Sequence, residues 1–237
     1  MGRSSDSELL VLHGLRLKSV APVDLLAGLV GLPTVVVADL LVGFEAKKWV
    51  RHHEGVLVGW ALLPDGRAEE KIRMAHELDE AGLELRSAID VAYRKFLDLN
   101  PAMLQVCTDW QLRPVVFEPQ GDAAASDAAA TDANDNAEIA AVLVANDHSD
   151  AAYDRMVVGV LKALNTDVQP IVASLAAIFD RFAGYGLRLS TALLNVEIGK
   201  IDWFDKPIID SCHTVWFELH EDLLSTLGIE RGQEVAN

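Results

Sequence analysis

A mostly α-helical protein with one small β-hairpin near the N-terminus is what this chain predicts, on three observations. Apolar residues recur at helical spacing over most of its length. The first 67 residues run helix, helix, glycine turn, helix, hairpin. The second half is a series of Ala, Val and Leu rich stretches parted by Asn, Gly and Pro.

Taken in order, residues 7–18 carry Leu9, Leu10, Leu12, Leu15 and Leu17 on a helical period. Pro22 opens a second short helix through Val30, since proline suits a first helical position. Gly31, Leu32, Pro33 and Thr34 make a turn. The third helix sets Val37, Leu40, Leu41 and Phe44 at i, i+3, i+4 and i+7, so this stripe packs inward while Asp39, Val42 and Gly43 face away. Residues 49–53 and 56–62 then flank a Glu54-Gly55 turn, with Val56, Val58, Trp60 and Leu62 alternating as in a half-buried strand. Pro64-Asp65-Gly66 closes the hairpin. That order is a winged helix, and its third helix is the element that would read a nucleic acid.

Two segments resemble the MarR-type family of winged-helix transcription regulators. One is Phe44-Glu45-Ala46-Lys47-Lys48-Trp49-Val50-Arg51, at the end of the third helix and the start of the hairpin. The other is the exit from the hairpin, Gly59 to Arg67, with Leu62 and Gly66-Arg67 as its landmarks. The resemblance spans about a quarter of the chain and implies a homodimer on DNA, its contacts falling on Thr34, Ala38, Asp39, Lys47, Lys48, Arg51, His52, His53 and Arg67. Family members set a small hydroxyl and a basic residue where this chain has Ala38 and Asp39, and a carboxylate there repels phosphate.

Charge bears on the same question. The 237 residues carry a formal charge of −16 and a pI near 4.7, whereas nucleic-acid binders show a basic domain or stripe. Residues 1–85 hold 9 Lys or Arg against 13 Asp or Glu, so most of the acidity lies later. Within the first part the cations gather at Lys47, Lys48, Arg51 and Arg67. Lysines there also complement a helix C-terminus without any ligand. The N-terminus is polar and no apolar run nears the roughly 18 residues of a membrane span, which predicts a soluble, cytoplasmic protein. Cys107 and Cys212 are expected as buried free thiols.

Beyond residue 67 the sequence predicts a helical domain over 68–237: a long helix over 68–99 stopped by Asn100-Pro101, an Ala and Asp rich disordered loop at about 120–138, and a bundle over 146–228. Its helices are expected at 150–165, 167–182, 187–199 and 207–227. The last sets Asp210, His213, Trp216 and His220 at steps of three to four, on one face. Three readings fit that face. The aromatics are core and the imidazoles bond to neighbours; or the face lines a pocket for a small organic effector with Asp109, Trp110 and Arg113 opposite; or it binds a metal. His213 and His220 lie two turns, about 10 Å, apart, too far for one ion, so no metal site is expected. No cofactor fingerprint and no nucleophile motif is present, and the chain is not expected to be an enzyme. The expectation is a transcription regulator with a DNA-binding winged helix and an effector-sensing or dimerising helical domain, the alternative being an acidic protein-interaction module that has kept the winged helix without DNA.

Overall fold

A computed structural model of the chain describes residues 2–116, 141–230 and 232, and the expected loop at 120–138 lies outside them. Three helices come first, α1 (Ser7–Lys18), α2 (Val23–Val30) and α3 (Thr34–Ala46), as the periodicity predicts. Asp6 starts α1 by accepting from the amides of Glu8 and Leu9, which satisfies two donors that a helix start leaves open. Val37, Leu41 and Phe44 of α3 bury themselves with Val11, Leu12, Leu15, Leu26, Val50 and Leu62 in one apolar core.

The hairpin pairs β1 (Val50–His53) with β2 (Gly59–Leu62), antiparallel, Val50 opposite Leu62. It is shorter than predicted. Val56, Leu57 and Val58 stand exposed in the turn rather than alternating along a strand. The strand begins at residue 59 because the backbone there meets Ala21, whose amide donates to the Trp60 carbonyl (3.0 Å) and whose carbonyl accepts from the Trp60 amide (2.8 Å). A Cβ on residue 59 would sit 2.6 Å from the Ala21 carbonyl carbon. Only glycine fits that approach. Gly59→Ala is therefore expected to cost about 1–3 kcal/mol through forced backbone displacement, measured by urea denaturation; an unchanged midpoint would mean that this bridge does not hold the hairpin in place.

Pro64 does not close the hairpin but opens α4 (Pro64–Ala81), its fixed φ suiting the first helical position. Arg67 thus belongs to the first turn of α4, and the expected boundary at 67/68 falls inside that turn. The long helix expected over 68–99 is also two helices. Gly82, at φ 87°, parts α4 from α5 (Leu83–Gln111), a conformation glycine adopts without steric cost. Nor does Asn100-Pro101 stop α5, which continues through Pro101 to Gln111. An interior proline costs about 3 kcal/mol, but Phe96, Met103, Val106 and Trp110 keep one face buried across it, at roughly 1.5–3 kcal/mol for each large side chain. Packing wins.

After α5 the chain makes a second hairpin, β3 (Leu112–Val116) against β4 (Ala141–Ala145). A single helix α6 (Ala151–Ala176) then replaces the two expected across Asn165-Thr166, because Val157, Leu161, Leu164, Val168, Val172 and Leu175 hold one buried face through that dipeptide. A 3₁₀ turn at Asp180–Phe182 leads to α7 (Ala183–Glu197), the short α8 (Asp202–Asp205) and α9 (Cys212–Leu227). The last helix begins later than 207 because Ser211 caps it, accepting from the Thr214 amide. Helices α4 to α9 enclose a second and larger core in which Phe96, Phe179, Phe182 and Phe204 are fully buried. Among the described residues no single helix is long and apolar enough to cross a membrane.

Candidate functional site

The outer face of α3 is built by elimination. With Val37, Leu41 and Phe44 turned inward, the exposed positions of α3 are Thr34, Val35, Val36, Asp39, Val42, Gly43, Glu45 and Ala46, with Ala38 and Leu40 half-buried. Val35 and Val42 are 66% and 64% exposed. With Asp39 on this face and Glu45 exposed near its end, α3 presents two carboxylates and no cation. The cations stand at its end. Lys47 lies over the Trp49 ring at 4.2 Å, Lys48 takes a left-handed backbone at φ 59°, and Arg51 is exposed on β1 beside His52, whose ring packs on Trp60. His53 is half-buried and Arg67 is exposed on α4. The nine residues that the resemblance marks for DNA therefore divide into a cation-free, acid-bearing helix face and a small basic rim.

The expected ligand pocket comes apart into three places. His213, Trp216 and His220 stay together and line an open cleft of about 500 Å³ between α5 and α9, with Asn100, Met103 and Leu104 opposite. The Trp216 indole donates to Asn100 Oδ1 at 2.9 Å, and the Phe96 ring supports both Trp216 (4.8 Å) and His220 (5.5 Å) from beneath. Trp110 stands elsewhere, at the end of α5, stacked on Phe204 at 4.2 Å and against His148 at 4.4 Å. Near it Arg113 reaches Asp147 at 3.4 Å, and His148 Nδ1 lies 3.1 Å from Asp154. Asp109 accepts from the Gln105 side chain on its own helix. Asp210 is in neither group. It binds Lys18 and Arg188, because it precedes the Ser211 cap and so lies off the α9 face that the helical period assumed.

That ion pair belongs to a layer of charges that the sequence reading did not anticipate. His13, on α1, is buried with Nδ1 2.8 Å from Glu70 of α4 and Nε2 3.1 Å from Asp222 of α9, the latter an ion-pair contact too bent for a hydrogen bond. Arg16 reaches Glu221 and Glu70, and Lys18 reaches Asp210 and Glu218. Arg181, on the 3₁₀ turn, donates to Asp222, Glu77, Ser5 and Thr226. Tyr185 donates to the second oxygen of Asp222 at 3.0 Å. Burial by itself would lower the His13 pKa, but Asp222 and then Glu70 outweigh it and raise the value to about 9. Burial likewise opposes ionisation of Asp222, yet the charges of His13 and Arg181 hold it at about 2. His13 and Asp222 therefore face each other as an imidazolium and a carboxylate at neutral pH, as buried charges must when paired.

A small, partly open space of about 70 Å³ adjoins this layer, between His13, Arg181, Tyr185 and Asp222 on one side and Leu17 and Leu29 on the other. It has room for a few waters and falls short of the 300 Å³ or more of an organic ligand site. Its signal in the sequence was faint but present: His13 interrupts an otherwise apolar run, and Glu218 and Asp222 do the same in α9. Both thiols are free, with burial pushing Cys107 and Cys212 up to about 12. Among the described residues no three His, Cys, Asp or Glu side chains gather as a metal ion would need.

No family model, curated protein or solved structure matches the chain.

Proposed function

We propose that residues 7–62 are a winged helix that serves a regulatory protein by docking another protein, with the outer face of α3 as the contact. The helix order supports the winged-helix reading, and so does the strand order Ala21, β2, β1, in which the link between the first two helices is laid beside the hairpin. The observation that carries the docking reading is the α3 face itself, where Val35, Val36 and Val42 surround Asp39 without a single cation. Non-specific DNA affinity comes from cations on phosphate, and a groove-reading helix of this composition has none to offer. Exposed valines are an asset only against another apolar surface. The chemistry asks for a partner protein with an apolar patch rimmed by Lys or Arg, complementary to Asp39 and Glu45.

A second reading keeps the DNA-binding transcription regulator, homodimeric as the resemblance implies. It rests on Lys47, Lys48 and Arg51 at the base of the hairpin, with Arg67 nearby in sequence on α4. In that case the hairpin leads and α3 follows. The two readings separate in one experiment. Retardation of duplex DNA and co-purification of a partner from extracts of the source cell are followed for the wild type, Val42→Lys and the pair Arg51→Ala with Arg67→Ala. Docking through α3 is expected to give no retardation at about 150 mM salt and a partner that Val42→Lys loses and the arginine pair keeps. Retardation that disappears in the arginine pair would establish the DNA reading instead.

A further inference from the structure

We infer that the cleft between α5 and α9 binds a neutral, planar aromatic molecule of one or two rings, and that α9 transmits its occupancy to the N-terminal unit through the ion pairs on its other side. The inference concerns the bundle and does not depend on which macromolecule the α3 face meets.

The cleft has the size and chemistry of a small-ligand site. Its volume of about 500 Å³ lies within the range of organic ligand sites. Trp216 and Met103 are its buried base, and Phe217 (41% exposed) and Leu104 (62% exposed) are walls with apolar surface still in contact with water. Flat rings stack on such walls edge to face or offset. The polar groups are two imidazoles and one carboxamide, which can orient a hydroxyl or carbonyl on the ring. Among the described residues, which include Gly232 at its edge, no carboxylate, lysine or arginine lines the cleft, and the protein's −16 repels anions at long range. A larger groove of about 690 Å³ between α5 and α6 lacks these features, being lined by Glu84, Lys95, Asp98 and Asp167 without an aromatic ring.

Transmission follows from the helical period. Residues 213, 216, 217 and 220 of α9 face the cleft, while Glu218, Glu221 and Asp222 face α1, where they hold Lys18, Arg16 and His13. One rigid helix therefore forms a wall of the cleft and the anionic half of the joint. A ring wedged between α5 and α9 moves these carboxylates relative to α4, which holds the same His13 and Arg16 through Glu70. The contacts of Glu221 with Arg16 at 2.9 Å and of Glu218 with Lys18 at 2.6 Å are short, so a small displacement changes how firmly α1 is held.

The test uses 2-naphthol, a neutral two-ring phenol, added to the full chain labelled with ¹⁵N-tryptophan, with amide hydrogen exchange of residues 7–18 recorded on the same samples. Expected are a saturable shift of the Trp216 indole signal and a change of about fivefold or more in α1 exchange, the range of ordinary coupling energies. Leu104→Trp, a surface substitution that fills the cleft, should abolish both while leaving the far-ultraviolet circular dichroism unchanged. Arg16→Gln with Glu221→Gln should keep the indole shift and at least halve the response of α1. A wild type that gives no saturable shift, a shift that survives Leu104→Trp, or a bound probe that leaves α1 exchange unaltered would each overturn the proposal.

Discussion

Asp222→Ala is expected to cost about 3–5 kcal/mol of folding stability, the loss typical of breaking a buried ion pair from one side. One carboxylate here meets four partners: His13, Arg181 and Thr226 on Oδ1 and Tyr185 on Oδ2. Its removal leaves a buried imidazolium and a buried guanidinium each short of an anion. The pH dependence gives a second measurement. His13 titrates near 9 in the fold against an ordinary value of 6.5, so its stabilising contribution is complete below pH 6.5 and is lost as the pH rises through 9. Asp222, held at about 2 against 3.8, contributes above pH 3.8 and loses that contribution as the pH falls through 2. Urea denaturation of the wild type should thus show a plateau between about pH 4 and 6.5 followed by a decline toward pH 9. In Asp222→Asn the alkaline decline should flatten. Parallel curves for the two proteins would show that this carboxylate is not what keeps His13 protonated.

Phe96→Ala is the other large effect, expected to cost about 3–5 kcal/mol. Phe96 is fully buried, five residues before the proline inside α5, and its ring lies under both Trp216 and His220. The void would open where the turn around Pro101 has already lost a backbone hydrogen bond, so the site has little freedom to collapse. Equilibrium denaturation gives the magnitude, and the Trp216 indole signal gives the location. A loss under about 1 kcal/mol, well below the cost of a rigid cavity, would mean that α9 settles onto α5 and closes the gap.

What could be read in advance, and what could not, divides along physical lines. The three helices and first hairpin were legible because local periodicity and turn residues decide them: Val37, Leu41 and Phe44 lie inside as their spacing requires, and His213, Trp216 and His220 share a face as helical steps require. Breaks were misjudged wherever packing overruled local preference, as at Pro101 and Asn165, or where one left-handed glycine, Gly82, divided an otherwise continuous pattern. The charge layer was out of reach for a different reason. His13 finds Glu70 and Asp222 at separations of 57 and 209 positions, and no period within one helix encodes such a pairing. The β3–β4 pairing likewise joins segments on either side of a long polar stretch.

The joint between the two apolar cores answers to temperature differently from the cores themselves. Stabilisation per unit of buried oily surface levels off on warming, whereas the hydration that ionised groups give up becomes less valuable to them, so assembling charges out of water grows cheaper with heat. Here three cationic side chains of α1, His13, Arg16 and Lys18, meet five carboxylates of the bundle, Glu70, Asp210, Glu218, Glu221 and Asp222, across the joint. Cold and salt are therefore the conditions that should slacken this seam first, and warmth within the folded range should draw it tighter while the hydrocarbon on either side softens.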